Sequence, residues 1–170
     1  MGRDKALILH GGKALVERAR AALIAGGATS VVVVGGDRRR LENLGLEYVP
    51  DRHPGAGPLA GIITALDHAE ADVVVVLACD YIDPSAAAVR AVIAALGTSD
   101  VTVPVSGEHK QWLHAAWRRG VLPTLETAYQ RGCRAPRDVA DDLTVTWMLD
   151  GDPDWYRDAD RPEDLRPDIH

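Results

Sequence analysis

Two runs of β-branched residues constrain the fold of this chain more than any other feature of its sequence. Val31–Val34 and Val73–Leu77 are continuous apolar stretches in which no polar residue alternates with the apolar ones. Strands show this pattern when both of their faces are covered, as in a parallel sheet between two layers of helices. The sequence therefore predicts that these two strands form the centre of an α/β fold.

Helical and extended patterns alternate along the rest of the chain. Pro58 and Asp83 each precede an apolar run with helical spacing, Pro58 as a first helical residue and Asp83 as a cap. Pro104 lies inside an extended run, which predicts a peripheral strand because proline is tolerated in a sheet only at an edge or a bulge. The predicted helices cover 13–25, 59–69, 84–96 and 121–131, and the remaining predicted strands cover 101–105, 112–118 and 144–149.

This alternation predicts a doubly wound, mostly parallel, Rossmann-like three-layer sheet with right-handed crossovers. Ligands of such sheets bind at the carboxyl ends of the strands. The sequence contains 170 residues with no repeat or linker that would divide it, so a single domain over 1–170 is expected.

Composition and charge narrow the classes of partner. Hydrophobic residues make up 46% of the chain and charged residues 26%, which is typical of a compact globular protein. The formal net charge of -6 would repel nucleic acid and anionic membranes, so neither is expected as a partner. A small ligand bound together with a cation fits this surface better.

Neither the cysteines nor the histidines form a recognisable metal or disulfide pattern. Cys79 and Cys133 are far apart and outside any C-x-x-C motif, which predicts two free, buried thiols. The six histidines have no paired spacing, so we expect them at the surface or hydrogen-bonded inside. The longest apolar stretch near the start is Ala6–Leu9, and no segment approaches the roughly 20 residues of a membrane span, which predicts a cytoplasmic protein.

Three segments contain candidate ligand-binding residues. Asp80 directly follows the second valine run, and one carboxylate at a strand end suits Mg²⁺, although the position alone suits a turn or capping aspartate equally well. The glycine-rich segment Asp51–Gly61 leads into a helix, where it could approach a ligand or simply turn the chain. The start, Met1–Leu7, has the composition of a solvated terminus when taken by itself.

Five segments, taken in order, match the motifs of one known family. They are Met1–Leu7, Asp51 with Gly57–Gly61, Ala78–Asp80, Lys110–Leu113 with Trp117–Arg118, and Arg161–Leu165. Together they resemble the motifs of the molybdenum cofactor guanylyltransferases. In chain order, these motifs are the signature Arg-Met-Gly-x-Asp-Lys-Ala-Leu, the Asp before Gly-Pro-Leu-Ala-Gly, the Cys-Asp of the metal-binding strand, the acceptor-side strand and the closing Asn-Thr-Pro-Glu-Asp-Leu. These enzymes belong to the wider group of nucleotidyltransferases.

The resemblance implies an activity and a role for each matching residue. The implied reaction is transfer of GMP from Mg-GTP to the phosphate of molybdopterin, with release of pyrophosphate. Asp80 would hold Mg²⁺ and Lys5 would stabilise the developing negative charge, so both are the implied catalytic residues. Asp51 would contact the nucleotide, and Gly2 and Arg3 would support its phosphates. Molybdoenzymes or cofactor-insertion proteins are the implied transient partners.

The sequence also departs from the family pattern. The family's first strand and its Leu-Ala-Gly-Gly loop come before the point that Met1 matches, so both are missing from the expected sheet. In the common strand order 3-2-1-4, Val31–Val34 and Val73–Leu77 would each lack a hydrogen-bonded neighbour. Val34 stands where some members have asparagine, and Asp158, Asp160 and Arg161 differ from the closing motif. Two alternatives stay open: a relative that uses CTP or another phosphorylated acceptor, and an inactive nucleotide-binding fragment.

Overall fold

A computed structural model describes residues 5–149 and 151–156. The strands are β1 (Leu9–His10), β2 (Lys13–Ala14), β3 (Val32–Val34), β4 (Glu47–Val49), β5 (Val73–Leu77), β6 (Val101–Ser106), β7 (His109–Lys110), β8 (His114–Arg118) and β9 (Val145–Met148). The α-helices are α1 (Leu15–Ala25), α2 (Arg38–Asn43), α3 (Pro58–His68), α4 (Ala86–Ala95) and α5 (Leu122–Gln130). Short 3-10 turns cover Lys5–Leu7, Arg119–Val121, Pro136–Asp142 and Pro153–Tyr156.

The larger sheet is mixed and has the strand order β5-β8-β6-β9, with β7 paired to the end of β6. β8 runs antiparallel to both β5 and β6, whereas β6 and β9 are parallel. β5, β6 and β9 therefore share one direction, and β8 runs against them. The predicted α/β architecture is confirmed.

Both faces of β5 are covered by helices, as its valine run predicts. Val74 and Val76 pack against the cluster that contains Leu59 of α3 and Leu125 of α5. Val73 and Val75 pack on the opposite face, against the cluster around Val92 of α4. Because successive side chains of a strand point to opposite faces, a run without polar residues places β5 in the middle of three layers.

β3 and β4 form a separate parallel pair, with Val32 opposite Glu47 and Val34 opposite Val49. Within the described residues β3 has no other strand partner, and β5 pairs with β8 alone. Helix α3 contacts both β3 and β5, so it connects the two sheets on one face. In the described part of the chain, each valine-rich strand thus has one edge without a partner, as the strand order 3-2-1-4 predicts.

The prediction that the strand containing Pro104 is peripheral was wrong. β6 lies inside the sheet, between β8 on one side and β9 on the other. Its pairing with β8 ends at Thr102 and its pairing with β7 begins at Val105, so Pro104 lies at a break between the two. The Pro104 carbonyl still accepts a hydrogen bond from the Gln111 N–H (2.8 Å). A proline is accommodated there because the missing N–H falls where the ladder on that side is already interrupted.

Two further differences concern local structure. Helix α4 begins after Ser85, whose hydroxyl accepts hydrogen bonds from the N–H groups of Ala87 and Ala88. Asp83 does not cap this helix as predicted, because its carboxylate pairs with Arg18 of α1. The short elements β1, β2, α2, β4 and β7 were not predicted. No helix in the described ranges is long and apolar enough to cross a membrane.

Candidate active site

Asp80 and Lys5 lie together beyond the carboxyl end of β5. The Lys5 Nζ is 3.8 Å from the Asp80 Oδ2, and the two side chains are 35% and 32% exposed. Ala6 and Leu7 pack with Cys79 against the buried cluster that includes Val33, and this packing holds the Lys5–Leu7 turn beside the end of β5. The structure thus brings together the two residues predicted to be catalytic. Gly2 and Arg3 lie outside the described residues.

Asp51 lies at the end of β4, on the β3 side of the structure. Its Oδ1 accepts a hydrogen bond from the His53 N–H (3.0 Å) and lies 3.3 Å from the Thr64 Oγ1. A Cβ on Gly35, which follows β3, would lie 3.5 Å from the Asp51 Cβ. Asp51 is therefore anchored beside the end of β3 and is absent from the lining of the cavity that adjoins Asp80.

A cavity of about 280 Å³ adjoins Asp80 at the carboxyl end of β5. Its walls come from the end of β5, the segment before β8, the start of α3 and the loop that leads into the Pro136–Asp142 turn. The polar and aromatic lining residues are Asp80, Tyr81, Lys110, Gln111, Trp112 and Arg137. Lys110, Gln111 and Trp112 belong to a segment that the family resemblance singled out. Arg137 had no sequence signal beyond being an arginine in a polar stretch.

One wall of this cavity is attached to α3 by a close backbone contact. The Leu59 N–H donates to the Arg134 carbonyl (3.1 Å), and a Cβ on Gly57 would lie 2.8 Å from that same oxygen. Gly57 also has a φ of 93°, which an L side chain rarely adopts. The Gly-Pro pair at the start of α3 thus permits the loop at Arg134 to approach the helix.

The same wall is fixed by a carboxylate. The N–H groups of Ala135 (3.0 Å) and Arg134 (3.4 Å) donate to the Asp138 Oδ2. These two backbone hydrogen bonds lower the pKa of Asp138 below its ordinary value, because they favour the charged carboxylate. The Pro136–Asp142 turn is therefore anchored at its start, next to Arg137.

A buried aromatic cluster supports the other wall. His114, on β8, is fully buried, and its ring stands edge-on to Tyr81 (5.3 Å between centroids) and Tyr156 (5.2 Å). The Tyr81 hydroxyl in turn donates to the Gln111 Oε1 (3.2 Å). Neither ring nitrogen of His114 has a hydrogen-bond partner among the described residues, and burial lowers the pKa of His114 to about 4. The prediction that every histidine is exposed or hydrogen-bonded was therefore wrong.

Neither Cys79 nor Cys133 forms a disulfide within the described residues, and both are only partly buried, whereas the sequence predicted buried thiols.

The donor groups around Asp80 suit a magnesium ion that arrives with phosphates. Among the described residues, no three His, Cys, Asp or Glu side chains are grouped so that they could enclose a metal by themselves. Asp80 offers one accessible carboxylate at the edge of the cavity. Mg²⁺ keeps several waters and binds through one or two carboxylates plus phosphate oxygens, so a single aspartate is a sufficient protein ligand.

Two solved structures share this fold. The molybdopterin-guanine dinucleotide biosynthesis protein A from Archaeoglobus fulgidus superposes with a TM-score of 0.74 and 23% identity, covering 96% of this chain and 88% of that one. The 2-C-methyl-D-erythritol 4-phosphate cytidylyltransferase from Thermus thermophilus superposes with a TM-score of 0.73 and 21% identity, covering 95% and 90%. These two likenesses show that the chain has the α/β fold of both structures.

Sequence comparison defines both the class and the family of this protein. Residues 1–145 match the family model of the MobA-like NTP transferase domain. A probable molybdenum cofactor guanylyltransferase of Methanothermobacter thermautotrophicus is 30% identical over 98% of this chain and 91% of that protein. One of Pelotomaculum thermopropionicum is 36% identical over 74% of this chain, and the match spans 61% of that relative's length. The chain belongs to the MobA-like NTP transferase family, and the predicted enzyme class is confirmed.

Proposed function

We propose that this protein transfers GMP from Mg-GTP to the phosphate of molybdopterin and releases pyrophosphate. The observation that carries the proposal is the Asp80–Lys5 pair (3.8 Å) at the edge of a cavity at the carboxyl end of β5. Relatives named molybdenum cofactor guanylyltransferases support the choice of substrates. The proposal needs one site for the triphosphate and one for the acceptor, on either side of Asp80.

The order of the strand ends gives Asp80 a central place. Cys79 packs against the cluster that contains Val33 of β3, so Asp51, beside the end of β3, is taken to lie on that side of Asp80; the segment before β8 lies on the other, because β8 pairs with β5. We assign the nucleotide to the Asp51 side and the acceptor to the cavity; Gly2 and Arg3, which the resemblance implies at the phosphates, lie outside the described residues. In-line displacement at phosphorus requires the attacking and leaving oxygens on opposite sides of the reacting atom, and the proposed assignment would satisfy this requirement.

The transfer exchanges one phosphoanhydride bond for another. An oxygen of the acceptor phosphate attacks the α-phosphorus of GTP and forms a new phosphorus–oxygen bond. The bond from the α-phosphorus to the oxygen that bridges to the β-phosphorus breaks, and its electron pair leaves with pyrophosphate. No proton need be transferred, because the acceptor oxygen is already ionised.

The protein's contribution is to hold charges in place around this exchange. Asp80 would hold Mg²⁺, and the ion would supply neutralisation of the triphosphate charge. The Lys5 ammonium lies close enough to Asp80 to face the same phosphates, where its positive charge stabilises the negative charge that builds on the leaving group. Ala6 and Leu7, which follow Lys5, and Cys79, which precedes Asp80, pack against a buried cluster, and this packing holds the two residues next to each other.

The test is substitution of the proposed metal ligand. Asp80→Asn keeps the shape of the side chain but removes the charge that a hard cation requires, so we expect magnesium-dependent pyrophosphate release to fall by about 100-fold or more. Release is measured with molybdopterin and GTP, with CTP supplied in parallel to establish the choice of base. Asp142→Asn, a change of the same kind at an exposed carboxylate paired with Arg131, is the matched control. Undiminished release from Asp80→Asn would contradict the metal assignment.

A further inference from the structure

We propose that Lys110 and Arg137 form the binding site for the acceptor's phosphate group, so that the cavity selects a phosphorylated acceptor over its dephosphorylated form. The inference rests on the proposed function, because it names the part of the cavity that would recognise the acceptor. Both residues line the cavity, and they approach it from different elements: Lys110 from β7 and Arg137 from the Pro136–Asp142 turn.

The charges of the cavity are distributed unevenly. Among its lining residues, Asp80 is the one carboxylate and Lys110 and Arg137 are the two cations. Lys110 makes no salt bridge within the described residues, and the Arg137 Nε is 3.8 Å from the nearest Asp138 oxygen, with 78% of the Arg137 side chain exposed. Two cations with so little internal compensation favour an anion between them. Since the whole chain carries a net charge of -6, a local pair of cations offsets the repulsion that an anionic acceptor would otherwise meet.

Neighbouring groups hold these two cations near the cavity. The Lys110 Nζ lies 4.3 Å from the centroid of the Trp147 ring, a cation–π contact that limits the positions of a long side chain. Arg137 follows the backbone that is anchored by the Asp138 carboxylate and by the hydrogen bond from Leu59 to Arg134. Limiting the positions of the Lys110 side chain and of the Arg137 backbone before binding reduces the entropy lost when a phosphate binds.

The position of this pair separates it from the triphosphate. Lys110 directly precedes the segment that leads into β8, on the far side of Asp80 from Asp51. A phosphate held there would stand opposite the leaving pyrophosphate, as in-line transfer requires. Gln111 adds a neutral polar group beside the cations, with its Oε1 oriented by the Tyr81 hydroxyl.

The experiment uses binding as well as turnover. The probes are a pterin monophosphate, the same pterin without phosphate, and Mg-GTP, each titrated into the full chain. For Lys110→Gln with Arg137→Gln, we expect the dissociation constant of the pterin monophosphate to rise at least tenfold, with that of the unphosphorylated pterin and of Mg-GTP unchanged. Arg20→Gln, at an exposed arginine on α1, is the control. In turnover, the double variant should raise the KM for molybdopterin and leave the KM for GTP as it was.

Each outcome decides the proposal. If the double variant binds the pterin monophosphate as well as the wild type does, or if the wild type does not bind this probe, the proposal is overturned. An equal loss of Mg-GTP affinity would also overturn it, because the cations would then serve the donor. If the phosphate selectivity depends on both cations but GMP is not transferred to molybdopterin, the acceptor site stands and the proposed function fails.

Discussion

His114 should make the stability of this protein strongly dependent on pH between 4 and 6.5. Its ring is fully buried with no partner for either nitrogen among the described residues, and burial lowers its pKa from 6.5 to about 4. In this pH interval the unfolded chain binds a proton on His114 that the folded chain does not. Unfolding therefore takes up a proton, and stability is lost as the pH falls from 6.5 toward 4.

The size of the effect follows from the two pKa values. Each pH unit between the folded and unfolded values corresponds to about 1.4 kcal/mol, so the full loss is about 3 kcal/mol. A domain has a total free energy of unfolding of roughly 5 to 15 kcal/mol, so this one group would remove a large part of it. We expect the free energy of unfolding to decrease by that amount beyond the loss due to the carboxylates.

Urea denaturation at a series of pH values would measure this pH dependence of the free energy of unfolding. His114→Phe keeps an aromatic ring against Tyr81 and Tyr156 but cannot take up a proton, so its stability should change by about 3 kcal/mol less over the interval. His68→Phe, the same change at an exposed histidine, should retain the wild-type slope. If His114→Phe and the wild type show the same pH slope, the assignment of the titration to His114 is refuted.

Three further predictions concern the site and the sheet. Lys5→Ala should lower kcat more than it weakens Mg-GTP binding, because the charge of Lys5 matters most in the transition state. Steady-state kinetics together with direct titration of Mg-GTP would measure both effects, and a raised KM with unchanged kcat would contradict the prediction. Gly57→Ala should lower the free energy of unfolding by roughly 1 to 3 kcal/mol more than Gly55→Ala does, since both have positive φ but only Gly57 approaches the Arg134 oxygen. Joining an apolar strand that ends in Leu-Ala-Gly-Gly ahead of Met1 should raise Tm and Mg-GTP affinity, because a strand can pair with the edges of β3 and β5 that have no partner within the described residues. A Gly-Ser segment of equal length cannot form such a strand and should change neither quantity. Equal effects of the two segments would show that those edges do not accept a strand.

The main elements of the fold were predictable because each has a long and regular pattern. The valine runs, the helix after Pro58 and the helix that ends before Gly26 all lie within a residue or two of their predicted bounds. α2 and β4 were missed because six and three residues, respectively, are too few to establish a period. Asp37, which caps α2 through the Arg40 N–H, was a local signal that could have found that helix.

The residues proposed for the site differ in how they could be found. Asp80 follows a buried strand, at the end where α/β sheets bind ligands, so its position made it a candidate, and the family resemblance then favoured a metal ligand over a turn or capping aspartate. Lys5 and Asp51 were singled out by resemblance, since neither lies in a pattern that predicts a site on physical grounds. Arg137 was missed because its relation to the cavity depends on the Arg134 backbone contact with Leu59, which joins segments far apart in the chain.

The sequence by itself determined the layers of this protein, because a strand that is buried on both faces consists of consecutive apolar residues. It did not determine which strands become neighbours, since hydrogen bonds between strands are made by backbone groups that every residue shares. The tertiary structure decided that β6 lies inside the sheet despite Pro104, because β7 and β8 divide its pairing at that residue. It also decided that His114 is buried without a hydrogen-bond partner in the described part of the chain, because no local pattern records which side chains the packing of distant segments will surround.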